Sequence, residues 1–186
     1  MNQLRIIGGE WKRRIIRFES VQGLRPTPDR VRETLFNWLM WDVAGRHVLD
    51  LCAGSGALGL EALSRGAASC VFVEPDRKQA ATLSATLVQL NAQDRAQVWN
   101  CTAQQARTRL THTIDGLFLD PPYALTLWSS LAAQYQDALS AQAWIYVEAD
   151  RDLSTLGLPS HWQLHKHTRA GVVQSGLFRQ QLDPTS

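Results

Sequence analysis

Only three of the 186 residues are cysteine, and Cys52, Cys70 and Cys101 stand singly in or beside apolar stretches with no Cys-x-x-Cys pair. This excludes a disulfide scaffold and a cysteine-built zinc site, and predicts a reducing compartment in which the thiols serve as small buried hydrophobes. No apolar run reaches the length of a bilayer span. The polar start of the chain, with Arg5 among its first residues, predicts no signal peptide. A cytoplasmic location and no metal are therefore expected. Internal repeats and low-complexity segments are also missing. Charged residues make up only 19% of the chain and hydrophobic ones 45%, enough to build the core of a single domain.

The charge that is present is unevenly spread. Residues 1–36 hold eight Lys/Arg against four Asp/Glu, and the remaining 150 hold eleven against thirteen. A basic N-terminal part is a footprint of nucleic-acid binding. Within it, Leu4 to Ile7 and Trp11 to Phe18 flank Gly8-Gly9, which predicts a β-hairpin. Its second arm carries Lys12, Arg13, Arg14 and Arg17 beside Trp11. Two roles are open to Trp11: stacking on RNA beside phosphate-binding cations, or packing the hairpin onto the body with Ile15 and Ile16. After a loop at Gly23-Leu24-Arg25-Pro26, Thr27 is the expected N-cap of a helix with Pro28 and Asp29 in its first turn. Val31, Leu35, Trp38 and Leu39 share one face of that helix, which leaves Arg25, Arg30 and Arg32 near its start to meet a phosphate or solvent.

From His47 onward strands and helices alternate. Strands are expected at 47–53, 69–73, 96–101, 115–119 and 144–147, with helices at 57–65, 76–90, 103–110 and 125–139 between them. Trp162 to Thr168 and Val172 to Arg179 read as a closing antiparallel hairpin around Ala170-Gly171. The expected fold is α/β: a seven-stranded, mostly parallel sheet with helices on both faces, which the resemblance given below implies to be Rossmann-like. A basic N-terminal portion (1–42) precedes this domain (43–183). With no apolar stripe left outside the core, a monomer is expected.

Two motifs fall where such sheets bind ligands. The first strand runs into Gly54-Ser55-Gly56-Ala57-Leu58-Gly59, and Glu74 ends the second strand twenty positions after Gly54. This matches the nucleoside-cofactor fingerprint, with the acid on the ribose hydroxyls. Asp50, four residues before Gly54, would repel a pyrophosphate but suits the ammonium and sulfonium of S-adenosylmethionine; its alternative role is to cap the glycine loop, and Glu74's is a surface turn acid. Asn100-Cys101-Thr102-Ala103, after the third strand, falls where the adenine would lie. The second motif is Asp120-Pro121-Pro122-Tyr123, placed by the apolar run Leu117-Phe118-Leu119 at the end of the fourth strand. The prolines stop the ladder there. A carboxylate, the Pro121 carbonyl and the Tyr123 ring on one stiff turn would hold a planar ring bearing an amino group, although a plain turn with a core tyrosine uses the same residues.

Leu49-Asp50-Leu51-Cys52-Ala53-Gly54-Ser55-Gly56 together with Asp120-Pro121-Pro122-Tyr123 resembles the S-adenosylmethionine-dependent amino methyltransferases. Arg5-Ile6-Ile7-Gly8-Gly9, Leu24-Arg25-Pro26-Thr27, residues 29–37 and residues 56–63 narrow the likeness to the bacterial 16S ribosomal RNA guanine-N2 methyltransferases, over about residues 4–179. The resemblance implies catalysis by Asp120, Pro121, Pro122 and Tyr123. It implies cofactor contacts at Asp50, Cys52, Ala53, Gly54, Ser55, Gly56, Gly59, Glu74, Pro75, Thr102, Ala103 and Asp120. It further implies RNA contacts at Arg5, Trp11, Lys12, Arg13, Arg14, Arg25, Thr27, Arg30 and Arg32, with 16S ribosomal RNA as partner, free or in the small subunit. Two residues depart from the family pattern: Arg13 stands where its hairpin tends to carry glycine, and Thr102 where an Asn or Asp often caps the adenine. Adenine-N6 methyltransferases share the Asp-Pro-Pro-Tyr motif. A catalytically silent RNA-binding assembly factor is a further alternative, though such a binder has no need of a methyl-donor crevice. In protein-glutamine methyltransferases the motif usually begins with Asn, so Asp120 disfavours that class.

Overall fold

A computed structural model describes residues 1–22 and 26–181 of the chain. The predicted hairpin forms from β1 (Asn2–Arg5) and β2 (Ile15–Phe18), with Asn2 opposite Phe18 and Arg5 opposite Ile15. Its connection is wider than a Gly-Gly turn, because Ile6 to Arg14 fold into a loop that docks on the body. There Glu10 N–H donates to the Ser64 carbonyl at 2.7 Å and Trp11 N–H to Ser64 Oγ at 2.9 Å. Gly9 has φ +75°, and a Cβ on it would collide with the Ser64 carbonyl, so close docking as well as the turn requires glycine. The Arg14 N–H closes a turn onto the Trp11 carbonyl at 2.9 Å, with Arg13 at φ +72°. That position of such a turn favours glycine, which gives a conformational meaning to the departure at Arg13. The variant Arg13→Gly is expected to raise stability by about 1 kcal/mol, the cost of a left-handed non-glycine residue, as a higher midpoint in denaturant.

Helix α1 (Asp29–Trp38) starts one residue later than a Thr27 cap would place it, since Pro28 holds the cap position without a side-chain bond. The sheet follows: β3 (His47–Asp50), α2 (Ala57–Ser64), β4 (Ser69–Val73), α3 (Arg77–Gln89), β5 (Ala96–Trp99), α4 (Ala103–Ala106), β6 (Ile114–Leu119), α5 (Trp128–Tyr135), β7 (Leu139–Ala149), β8 (Trp162–Ala170) and β9 (Val173–Gln180). Strand order is β5-β4-β3-β6-β7-β9-β8, with β9 antiparallel to both its neighbours. The helix expected at 125–139 is shorter. Thr126 takes a left-handed conformation, short 3₁₀ turns flank α5, and β7 already begins at Leu139.

Alternate strand residues feed two apolar layers. Val48, Phe72, Phe118 and Tyr146 point to the face covered by α1, α2 and α3, and Ile6, Trp11 and Ile16 of the hairpin join that layer. Leu49, Val71, Leu117 and Val147 point to the face covered by α4 and α5. Among the described residues no helix is long and apolar enough to cross a membrane.

Candidate active site

The chain leaves β3 toward β4 and β5, then returns to β6 on the other side. The switch of direction therefore opens a crevice at the carboxyl ends of β3 and β6. Asp50 ends β3 level with Phe118 of β6, two residues short of Asp120. Cys52, two residues past Asp50, is half-buried. Its thiol is pushed well up by burial and then by the charges of Asp120, Asp50 and Glu74, so it stays protonated.

The glycine turn is built by acids taking up its free N–H groups. Asp50 is buried, and its carboxylate accepts from the Gly59 N–H at 3.0 Å, in the first turn of α2. Of the two roles open to Asp50, the cap is the one occupied. Glu74 accepts from Gly54 N–H at 2.8 Å through one oxygen and from Asp76 N–H at 2.9 Å through the other, which leaves lone pairs on both for ribose hydroxyls. Burial is the main cause raising its pKa. Gly56 is left-handed at φ +79°, and a Cβ there would sit 2.5 Å from Leu83 Cδ1; one on Gly59 would strike the Phe72 ring. Both are thus required by packing beneath the loop, whereas Gly54 is the half-exposed member. Ser55 is buried and its Oγ accepts from Ala57 N–H at 3.3 Å. Ala53 is buried too, its N–H donating to Val73. Pro75 is exposed, and its carbonyl and that of Glu74 each accept from Asn100 Nδ2 at 3.0 Å, which ties the β4 and β5 ends together. The Thr102 hydroxyl oxygen accepts from Gln105 N–H at 3.2 Å in a capping box at the start of α4, a use that competes with its expected bond to an adenine amino group. Ala103 is buried beneath it.

Burial raises the Asp50 carboxyl from 3.8 to about 7, against the Gly59 hydrogen bond that lowers it and with the charge of Glu74 adding to the rise. The folded chain therefore holds a proton that the unfolded chain has lost between about pH 4 and 7, and stability falls as pH rises through that window. Relative to wild type, Asp50→Asn is expected to gain on the order of 2–3 kcal/mol between pH 5 and pH 8. Denaturant titrations at the two pH values check this.

At the end of β6, Pro121 is buried, Pro122 exposed and Tyr123 half-buried. The Tyr123 hydroxyl donates to Glu148 Oε1 at 2.8 Å, and its ring stacks on Trp128 with centroids 6.2 Å apart at 25°. Among the described residues no donor sits on the Asp120 carboxylate, while neighbouring donors go to Glu148 and Glu74. Burial first, then the charges of Glu148 and Asp50, hold the Asp120 carboxyl well above the usual carboxylate range. The turn thus offers an acceptor able to take a proton. Sequence reading missed Glu148. The available signal was an acid following the apolar Trp144-Ile145-Tyr146-Val147, where a strand was expected to end.

The expected RNA contacts divide. Arg5, Lys12, Arg13, Arg14, Arg17 and Arg30 are exposed. Trp11 is not a free stacking platform: it is 6% exposed and lies in the core with the Arg95 guanidinium 5.0 Å over its ring. Thr27 is buried as well, its carbonyl accepting from Arg32 Nε at 3.2 Å. Arg32 cannot reach a phosphate. It is fully buried and bonds the Thr27 and Arg5 carbonyls, Asp29 and Glu61. Arg25 lies outside the described residues.

A switch-point crevice walled by a glycine turn, a ribose-type acid and an Asp-Pro-Pro-Tyr strand end defines an S-adenosylmethionine-dependent methyltransferase of the Rossmann-like class. The chain belongs to the family described as Conserved hypothetical protein 95, whose model matches residues 4–179. It is 41% identical over 183 residues to Ribosomal RNA small subunit methyltransferase D of Escherichia coli K12, covering 96% of this chain and 91% of that protein. The Haemophilus influenzae protein of the same name is 38% identical over 192 residues, with 95% and 94% covered. The solved structure of yhhF from Escherichia coli superposes with a TM-score of 0.89 at 40% identity, covering 97% of this chain and 99% of that one. SMU.776, solved with SAH, shares the fold at 16% identity and a TM-score of 0.67, with 84% and 50% covered.

Proposed function

We propose that this protein transfers a methyl group from S-adenosylmethionine to the exocyclic N2 amino group of a guanine in 16S ribosomal RNA. The observation that carries the reading is Asp120: an open carboxylate of raised pKa on a proline-stiffened turn, beside the crevice of the glycine loop. The names of the Escherichia coli and Haemophilus influenzae relatives supply the substrate class.

The donor set fits the cofactor. Asp120, Asp50 and Glu74 each act on the Cys52 thiol through charge, which supports one shared crevice, and the Asp50 and Glu74 carboxylates suit a donor that carries ammonium and sulfonium charges. Glu74 would hold the ribose, Gly54 and Cys52 would line the methionine part, and the backbone at Ala103 would flank the adenine. When bound, the cofactor supplies an electrophilic methyl group.

The amino lone pair of guanine is delocalised into the ring. Asp120 and the Pro121 carbonyl accept its two N–H bonds and turn the lone pair out of conjugation. Positioning supplies most of the acceleration, and the carboxylate stabilises the ammonium character that develops on nitrogen. Asp120 then takes the proton that the nitrogen sheds. Tyr123 stacks on the base, which must leave its RNA helix to reach the turn.

Residues 1–42 act as the RNA-gripping portion, through the exposed cations Lys12, Arg13, Arg14, Arg17 and Arg30. Residues 43–183 act as the transfer domain of a cytoplasmic monomer. The test is transfer of labelled methyl into small subunits that lack the mark, against bare DNA, with the product read by nucleoside mass spectrometry. N2-methylguanosine in the ribosomal RNA is expected. N6-methyladenosine, or no transfer, overturns the reading.

A further inference from the structure

The parallel register of β6 and β7 sets Leu119 opposite Val147, so the next residues lie side by side, Asp120 just past the end of β6 and Glu148 still within β7 opposite Ser175. Asp120 is half-buried, but Glu148 is 6% exposed and holds two tyrosine hydroxyls and a tryptophan N–H around the turn. Its Oε1 accepts from the Tyr123 hydroxyl at 2.8 Å and its Oε2 from the Tyr146 hydroxyl at 2.8 Å. Ser175 Oγ lies 3.1 Å behind the Tyr146 hydroxyl. The Glu148 carbonyl accepts from Trp128 Nε1 at 2.9 Å, and Trp128 is the ring on which Tyr123 stacks. One residue thus fixes both the Tyr123 ring and the Trp128 ring stacked on it. Arg151 closes the outer side, its guanidinium 4.9 Å from the Trp128 ring and Nη2 3.4 Å from the Tyr123 carbonyl.

Resting on the function proposed above, we propose that Glu148 is a positioning residue for methyl transfer: it fixes the plane of the Tyr123 ring and, through that ring, the pose of the base whose amine Asp120 holds. It touches neither base nor cofactor. A carboxylate kept off the surface next to a second one is costly to fold around. Two of the three hydrogen bonds it accepts, from Tyr123 and Trp128, go to the turn and to α5, whereas β7 pairs with β6 and β9 through its backbone.

The same placement ties Glu148 to proton transfer. The charged and titratable groups facing Asp120 are Asp50 from β3, Cys52 after it, Tyr123 in its own turn, and Tyr146 and Glu148 from β7, with Asp150 and Arg151 beyond. After burial, Glu148 is the largest influence that keeps the Asp120 carboxyl high. Burial and the charge of Glu148 likewise push the Tyr123 phenol up, so its hydroxyl remains a donor across the working range.

The test uses full-length Glu148→Gln, Tyr123→Phe and the double variant, each first titrated with S-adenosylmethionine by calorimetry. Cofactor affinity should stay within about twofold of wild type, since the cofactor acids lie on other strands. On small-subunit RNA each single variant should lower kcat by roughly 10- to 100-fold, the scale of a misplaced reactant. The double variant should be no slower than the slower single one, because both act on one hydrogen bond: the amide oxygen of Glu148→Gln can serve only one of the two tyrosine hydroxyls that the carboxylate serves. With the anion gone, the acid limb of the Glu148→Gln pH profile should move to lower pH, whereas Tyr123→Phe keeps the limb in place. Should Glu148→Gln not fold, Tyr123→Phe alone decides, since it breaks the bond and keeps the ring. Full kcat in Tyr123→Phe, additive losses in the cycle, or an unmoved acid limb in Glu148→Gln overturns the proposal even if wild type yields N2-methylguanosine. Absence of N2-methylguanosine from the wild-type reaction overturns the functional reading and this inference with it.

Discussion

Asp120→Ala is expected to lower turnover by about 10²–10⁴-fold, the usual worth of a positioned proton acceptor, while cofactor affinity measured by calorimetry stays close to wild type. The physical reason is division of labour along the sheet edge. Glu74 and the Gly54 turn belong to β4 and the β3–α2 connection and keep their own bonds without Asp120. The carboxylate on β6 is the open acceptor of its turn. Asp120→Asn separates its two tasks, since the amide oxygen still accepts one N–H but cannot take a proton. It should fall between alanine and wild type, with the larger part of its loss in kcat. Stability moves the other way. The half-buried Asp120 carboxyl is held well above the usual carboxylate range, so ionising it in the folded state costs free energy that either variant relieves. Higher stability at neutral pH with lost turnover is the signature of a strained functional acid. Retained turnover in Asp120→Ala would remove it from the mechanism.

The second large effect lies outside the crevice. Glu61, on α2, is fully buried. It accepts from Ile7 N–H at 3.0 Å, Gly8 N–H at 2.8 Å and Arg65 Nε at 2.9 Å, and it pairs with the buried Arg32 at 3.5 Å. Glu61→Ala leaves a guanidinium in the core with only Asp29 as acidic partner and strands two backbone donors. Breaking one side of a buried ion pair typically costs about 3–5 kcal/mol, and that loss is expected in the denaturant midpoint. The same carboxylate fastens the hairpin loop to the helix that opens with the glycine turn. RNA affinity should therefore fall in Glu61→Ala even where the protein is still folded. A stability change below about 1 kcal/mol, within surface-substitution range, would mean that the network is redundant.

Much of the architecture was legible because it rests on local rules. The glycine turn, the strand-ending prolines and the alternation of apolar runs with helical faces each act within a few residues, and they put Asp50, Glu74 and Asp120 at strand ends before any contact was known. Boundaries went astray where a distant partner intervened. The hairpin loop widened because Ser64 and Glu61, more than fifty residues away, take up its N–H groups. Leu139 joined β7 because Ile114 pairs with it.

By itself, the order of residues determined the fold class, the crevice and the place of Asp120 at a strand end, since periodicity and backbone-restricting residues are properties of neighbours along the chain. Only the tertiary structure decided which charges are available. Arg32 and Arg30 lie two positions apart on one basic stretch, yet one is sealed against Glu61 and the other is exposed. Trp11 went to the core and Glu148 came to the Asp-Pro-Pro-Tyr turn for the same reason. A side chain's burial and its hydrogen-bond partners depend on elements that meet it across the sheet, and no spacing in the chain records them.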